Sequence, residues 1–130
     1  MRFTFMSSKP LLYLLVAILG MTAFTCPRKM QKIMLSKIKF DYSKLDEAGL
    51  RNGEVAVDYE FCIPANESYL AQVMDIDPGI RVMKKSKGRI GCSSQQWLII
   101  NSTHSTDWKK ILHTFAYLDF VDEIRETFYE

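Results

Sequence analysis

Cysteine and histidine are the side chains most able to act as nucleophile or base at neutral pH. The chain has three cysteines and two histidines. Cys92 paired with His104 or His113 could supply a thiol nucleophile and its base. No motif surrounds these residues, so we expect solvated histidines and predict no catalytic residue. The sequence has no Cys-x-x-Cys, His-x-x-His or other Cys/His cluster. It therefore predicts no metal site, and it gives no sign of a cofactor.

Two carboxylates offer a second kind of chemistry. Asp58 and Glu60 stand two residues apart in a strand-like segment, so both side chains would point to one side of a sheet, roughly 7 Å apart. Such a pair could do acid–base work. Nothing else in the chain converges on it, and we predict an acidic, solvated sheet face rather than an active site.

Cys62 and Cys92 are the candidate disulfide, since they remain once Cys26 is assigned to the leader described below. In the predicted fold the strands next to these cysteines are parallel neighbours. Cys62 ends one strand and Cys92 precedes the other, which places them at opposite ends of the sheet. A disulfide requires Cα atoms roughly 4.4–6.8 Å apart. We therefore expect two free thiols.

A basic run forms the candidate surface for an anion or a partner. Lys84, Lys85, Lys87 and Arg89 lie within six residues, between two predicted strands. This run could bind an anionic head group or an acidic partner. It lacks the spacing of a phosphate-binding loop. The alternative is a solvated hairpin.

The first 26 residues predict the location of the protein. Arg2 and Lys9 give a basic start, Leu11–Leu19 is apolar, and smaller or polar residues follow up to Cys26, an order typical of a signal peptide. The apolar run is short for a membrane-spanning helix. Residues 1–26 are thus a signal peptide or a membrane anchor, and Cys26 resembles the lipid-accepting cysteine of bacterial lipoproteins. Lipidation, simple cleavage and an uncleaved anchor stay open. Each predicts a domain outside the cytoplasmic membrane, periplasmic or cell-surface and membrane-associated.

The charge balance limits the class of partner that the protein could bind. The chain has 17 bases and 15 acids, and two of the bases belong to the leader, so the remainder is formally neutral. A dedicated nucleic-acid binder needs a basic face, and we expect no nucleic-acid partner. The membrane and a protein are the expected partners. Residues 27–36 predict a tether without clear periodicity, and residues 37–130 a single α+β domain.

Periodicity predicts the elements of that domain. Ile38, Phe40 and Tyr42 alternate as a short strand, and Asn52-Gly53 is a turn dipeptide. Strict alternation over Glu54–Ile63 predicts a strand with one apolar face. A helix capped by Asn66 and ending at Asp77-Pro78-Gly79 follows. Further segments predict a strand at Ile80–Val82, a buried strand over 95–103, a helix capped by Ser105 or Thr106, and a final strand over 120–129.

The order βαββαβ predicts a two-layer ferredoxin-like sandwich, because right-handed crossovers put both helices on one face of the sheet. The other face would stay open. We expect one shared core, formed by Val55, Val57, Tyr59, Phe61, Ile99, Ile111, Leu112, Phe115, Ile124 and Phe128, with Trp97 and Trp108 as further anchors.

Three functions remain. The first is an exported, membrane-tethered binding or structural domain of unknown ligand. The second follows from a resemblance: the βαββαβ order and the acidic end of Leu118–Glu130 resemble the subtilisin-type propeptides, which implies a propeptide or inhibitor. The third is a small enzyme, for which the chain offers no catalytic motif.

Overall fold

The computed structural model describes residues 27–129, so the predictions for the leader, including Cys26, lie outside the described residues. The described chain has three α-helices, a 3-10 turn at Tyr42–Lys44 and six strands. The helices are Arg28–Leu35 (α1), Glu67–Ile76 (α2) and Trp108–Tyr117 (α3). The strands are Leu50–Arg51 (β1), Val55–Ala56 (β2), Asp58–Pro64 (β3), Arg81–Met83 (β4), Gln96–Ser102 (β5) and Arg125–Glu126 (β6).

The main sheet has four antiparallel strands in the order β4-β5-β3-β6, and β1 with β2 forms a separate hairpin. The α+β class is thus confirmed. The expected parallel pairing of the two central strands is wrong, because β3 and β5 run antiparallel from Asp58↔Ser102 to Pro64↔Gln96. The crossover through α2 makes β3 and β4 run the same way. β5, reached by a reversing loop and inserted between them, must run the other way.

One sheet face carries the large core. Val57, directly before β3, and Tyr59, Phe61 and Ile63 within it are all buried, as their period-two pattern predicts. Both α2 and α3 pack onto this face, and their buried residues include Leu70, Val73, Trp108, Leu112, Phe115 and Ala116. Trp97 and Ile111 lie at its margin, partly buried. The helix-covered face therefore forms most of the predicted core.

Two predicted core residues are exposed instead. Val55 is 62 % exposed because it belongs to β2, a strand of the separate hairpin, rather than to the start of β3. Phe128 is 57 % exposed because β6 ends at Glu126, so the predicted strand over 120–129 is much shorter. Both errors come from extending an alternating pattern beyond the strand that contains it.

The helix starts were predicted with mixed success. Asn66 caps α2, and its Oδ1 accepts a hydrogen bond from the Ser68 amide at 2.8 Å. The predicted cap of α3 by Ser105 or Thr106 is wrong, since Asp107 occupies that position without a side-chain cap bond. The side chain of Trp108 fixes this end of α3 instead: its Nε1 donates to the Glu47 carbonyl at 3.0 Å.

The β1–β2 hairpin is attached to the main sheet through a buried threonine. Asn52 and Gly53 form its turn with positive φ angles of 55° and 71°, as the dipeptide predicts. Thr103 Oγ1 donates to the Gly49 carbonyl at 2.6 Å and accepts from the Val57 amide at 2.9 Å. A Cβ at Gly49 would lie 1.9 Å from the Thr103 carbonyl oxygen. Only glycine allows this approach.

The segment before the domain is more ordered than the pattern suggested. Residues 27–36, predicted as an aperiodic tether, contain α1. Only Ile38 of the predicted strand is paired, in a parallel bridge with Ile124, and the chain then turns into the 3-10 helix. Lys37 Nζ donates to the Leu118 carbonyl at the end of α3, at 2.9 Å. These contacts fix the end of α1 to the domain.

Candidate functional site

The second face of the sheet is covered by a loop. Residues 84–95, here called the cover loop, fold back over β3 and β5 and bury a small apolar cluster. Its buried members are Cys92, Leu98 and Ile100, with Cys62 and Ile90 partly buried beside them. The expectation of an open, solvated face is therefore wrong.

A disulfide between Cys62 and Cys92 holds the cover loop in place. The Cα atoms of these two residues are 5.5 Å apart and the sulfurs are bonded. The expectation of free thiols fails because β3 and β5 are antiparallel, which puts the end of β3 beside the start of β5. The bond also removes Cys92 as a thiol nucleophile.

Glu60 provides the second attachment of the cover loop. Its side chain lies under the loop, and the residue is only 2 % exposed. Its Oε1 accepts from the Ile90 amide at 2.7 Å and its Oε2 from Thr127 Oγ1 at 3.3 Å. Gly88 has a φ of +61°, and a Cβ there would lie 2.8 Å from the Leu98 side chain. The loop therefore comes closer to the sheet than other residues would permit.

Asp58 belongs to a different network. Its Oδ2 accepts from Arg81 at 3.1 Å and from the Tyr129 hydroxyl at 2.7 Å. The hydrogen bond to Asp58 raises the pKa of Tyr129 above its ordinary value, with burial adding to the shift. Both Asp58 and Glu60 bind the segment 127–129, Asp58 together with Arg81 and Glu60 together with Ile90, and they do not form the solvated acidic face that the sequence suggested.

The four basic residues of the predicted patch are all exposed, and they differ in their surroundings. Lys84 forms an ion pair with Glu67 at 2.9 Å, and its Nζ lies 4.2 Å from the centre of the Trp97 ring. Arg89 lines a groove beside β6. Lys85 and Lys87 lie between them in the cover loop. Anion binding by this run stays a prediction.

The two histidines differ in environment. His104 is exposed, as expected. His113 is half-buried, and its ring lies edge-on to Tyr42 with centroids 5.4 Å apart. Burial, aided by the positive charge of Lys109, lowers the pKa of His113 below its ordinary value. The imidazole is therefore held mainly neutral, as part of the packing between α3 and the 3-10 turn.

A groove of about 1070 Å³ lies beside β6. Ion pairs are formed between residues of its wall. Arg51 donates to both carboxylate oxygens of Glu126 at 2.9 and 3.0 Å, and Arg125 pairs with Glu123 at 3.0 Å. The groove is lined by Lys39, Phe40, Asp41, Lys44, Arg51, Asn52, Glu60, Arg89, Glu123, Arg125, Glu126 and Phe128.

The backbone of β6 turns hydrogen-bonding groups toward this groove. The Thr127 amide donates to the Asp58 carbonyl of β3, so residue 127 faces inward. In an antiparallel pair the bonding direction alternates, and the amide and carbonyl of residue 126 therefore face away from β3. Ile124 shows the same outward direction, since it exchanges backbone hydrogen bonds with Lys37 and Lys39.

That outer pairing stops at Lys39, because the chain then leaves for the 3-10 turn. Within residues 27–129, the Phe128 amide has no backbone partner, and the register of β6 with β3 turns the Glu126 amide away from β3. We call Glu126–Phe128 the open edge. Sequence reasoning did not locate it, since an unpaired edge belongs to backbone groups and no side-chain motif marks it.

Comparison of the chain with protein-family models, with curated proteins and with solved structures finds no match. Among residues 27–129, no helix is long and apolar enough to cross a membrane. The same residues hold no group of three or more His, Cys, Asp or Glu side chains that could bind a metal ion.

Proposed function

We propose that the protein is an exported, membrane-tethered binding domain of the ferredoxin-like type, which binds an extended polypeptide segment along the open edge. The observation that carries the binding role is the outward-facing backbone of Glu126 at the wall of the groove. An unpaired edge accepts an added strand through main-chain hydrogen bonds, and nearby side chains select its sequence.

The disulfide supports the location. Bonds such as Cys62–Cys92 persist in oxidising compartments and are rare in the cytosol, where thiols are kept reduced. This agrees with the signal-like leader at residues 1–26. The strand order β4-β5-β3-β6, with α2 and α3 on one face, supports the ferredoxin-like topology.

The groove suggests what the bound segment carries. Most of its charged side chains are paired with one another, whereas Lys39 is exposed and its ammonium group has no partner among residues 27–129. The exposed Phe128 ring offers an apolar contact next to the edge. We therefore expect a segment with one acidic and one apolar side chain, arranged to meet Lys39 and Phe128.

The alternatives have less support. In the propeptide hypothesis the C-terminal segment would enter a protease cleft, but Thr127 and Tyr129 are hydrogen-bonded to Asp58 of their own sheet. In the enzyme hypothesis, Cys92 would be the nucleophile, but it is bonded to Cys62. Asp58 and Glu60 would be the acid and the base, but each is hydrogen-bonded to other residues. A binding role is supported by the open edge and by the groove beside it.

The test is selection of displayed random peptides on the purified full-length protein, followed by amide exchange of the complex. We expect selected peptides to slow exchange at Glu126 and Phe128. Thr127 serves as the internal control, because its amide is already bonded to Asp58. Peptides that protect other amides, or a selection without binders, would contradict the proposed site.

Export is tested separately. A phosphatase fused after residue 40 should be active in an exporting host, because that enzyme folds only outside the cytoplasm. An inactive, stably expressed fusion would contradict the location. If Cys26→Ser leaves detergent partitioning and gel mobility unchanged, Cys26 does not carry a lipid.

A further inference from the structure

Helix α1 has a composition and an exposure that the fold does not explain. Its eight residues, RKMQKIML, include three bases and no acid, and none of them is buried. Met30 is 47 % exposed and Ile33 is 55 % exposed. A helix that serves only as a soluble spacer gains nothing from apolar side chains in water.

Three of the four apolar residues of α1 lie on one side of the helix. At about 100° per residue, Met30, Ile33 and Met34 fall within about a third of the circumference. Leu35, which packs on the large core, lies on nearly the opposite side. The Met30–Ile33 stripe therefore faces away from the domain. Lys29 lies at its border, and Arg28 and Lys32 lie farther round the helix, toward the side of Leu35.

The position of α1 in the chain indicates what covers this stripe. It begins two residues after Cys26, where the leader ends. We propose that α1 lies in the head-group layer of the membrane that holds the leader, with Met30 and Ile33 inserted at the boundary with the acyl chains. This inference rests on the membrane tether of the proposed function. It adds a second contact made by the folded domain.

Charge complementarity supports a lipid surface as the occupant. Interfacial helices combine an apolar stripe with basic flanks, and anionic lipids attract juxtamembrane Lys and Arg side chains. Arg28, Lys29 and Lys32 are exposed and have no acidic neighbour within the helix. A protein partner would need acidic groups placed to match them, whereas phosphate groups are present across any bilayer surface.

The helix would also orient the domain. Leu35 packs on the large core, Lys37 bonds to the end of α3, and Ile38 pairs with Ile124. These three contacts prevent α1 from swinging independently. The groove begins at Lys39, directly after them. An interfacial α1 would thus keep the open edge at a fixed height above the bilayer.

The test uses the full chain with its leader, reconstituted in vesicles of phosphatidylcholine and phosphatidylglycerol that contain brominated acyl chains. The tryptophan emission of the Ile33→Trp variant should be blue-shifted relative to that of the wild type. The bromine atoms should also quench a larger fraction of the emission in this variant than in the wild type. Gln31→Trp is the matched control, because residue 31 is exposed and lies about 160° from Ile33 around the same helix. Its added indole should be quenched less.

The outcomes separate this inference from the tether itself. Equal quenching of the Ile33→Trp and Gln31→Trp variants on vesicle-bound protein would overturn the interfacial helix and leave the tether standing. Failure of the full chain to partition into vesicles would overturn both. Weaker quenching of the Ile33→Trp variant in vesicles of phosphatidylcholine alone would support the role of the basic flank.

Discussion

The two faces of the sheet are held by different means. The helix-covered face buries a large cluster of apolar side chains drawn from β3, β5, α2 and α3. The loop-covered face buries a few small or aliphatic side chains, and it depends on the Cys62–Cys92 bond and on the hydrogen bonds of Glu60. The first is stabilised mainly by the hydrophobic effect, whereas the second needs a covalent link and a buried carboxylate.

This difference indicates how a small domain covers a sheet with a short loop. The cover loop has few apolar side chains. Their burial alone would therefore offset little of the free-energy cost of ordering the loop. A disulfide lowers that cost by restricting the unfolded chain. We therefore expect the helix-covered face to be the more stable one, and the loop-covered face to respond to redox conditions.

The largest expected effect comes from Phe115→Ala on the helix-covered face. Phe115 is fully buried, with its ring centroid 4.9 Å from that of Phe61 and 6.5 Å from that of Tyr59. The cavity should lower the free energy of unfolding by about 3–5 kcal/mol, measured by urea denaturation. Tyr117→Ala, on the exposed side of α3, is the control and should cost much less. A loss below about 1 kcal/mol for Phe115→Ala would mean that the dominant core lies elsewhere.

The next effect comes from the loop-covered face. Replacing Cys62 and Cys92 together by Ser should lower stability by about 2–4 kcal/mol, given a loop closed over a separation of 30 residues. Amide exchange should accelerate first in the cover loop, while β3 and α3 keep their protection. Reduction of the wild-type protein is the control, because it breaks the same bond without any substitution. Uniform loss of protection over both faces would show that they unfold as one unit.

Glu60→Ala should have the smallest effect of the three. It leaves the Ile90 amide without its acceptor, a loss of about 1–3 kcal/mol for a buried donor. Glu60→Gln keeps an acceptor oxygen and should cost less. If both variants lost equal stability by urea denaturation, the charge of Glu60 rather than its hydrogen bond to the loop would matter.

Much of the helix-covered face could be predicted from the sequence. Alternation along β3 identified its buried residues from Val57 onward, and Asn66 marked the start of α2. These signals are local, since the period of two and the cap each depend on a few neighbouring residues. The errors at Val55 and Phe128 arose where the alternation continued past the end of a strand.

The loop-covered face could not be predicted in the same way. The run from Lys84 to Arg89 is polar and gives no sign of covering anything, because the contacts that hold it involve a backbone amide, a glycine and one cysteine. Whether Cys92 meets Cys62 depends on the direction of β5 relative to β3. Strand direction is set by the whole topology, and a single wrong assumption about it separated the two cysteines. The open edge was not located for a different reason: it consists of backbone groups, which no side-chain motif marks.

The disulfide also bears on when the molecule becomes complete. Under the proposed export, Cys62 and Cys92 would join once the chain has left the reducing cytosol, where disulfides are rare. Any copy retained in the cytosol would keep a loosely covered sheet and be an easier substrate for proteases. The bond would thus act as a mark of successful delivery, made only on molecules that have reached their destination.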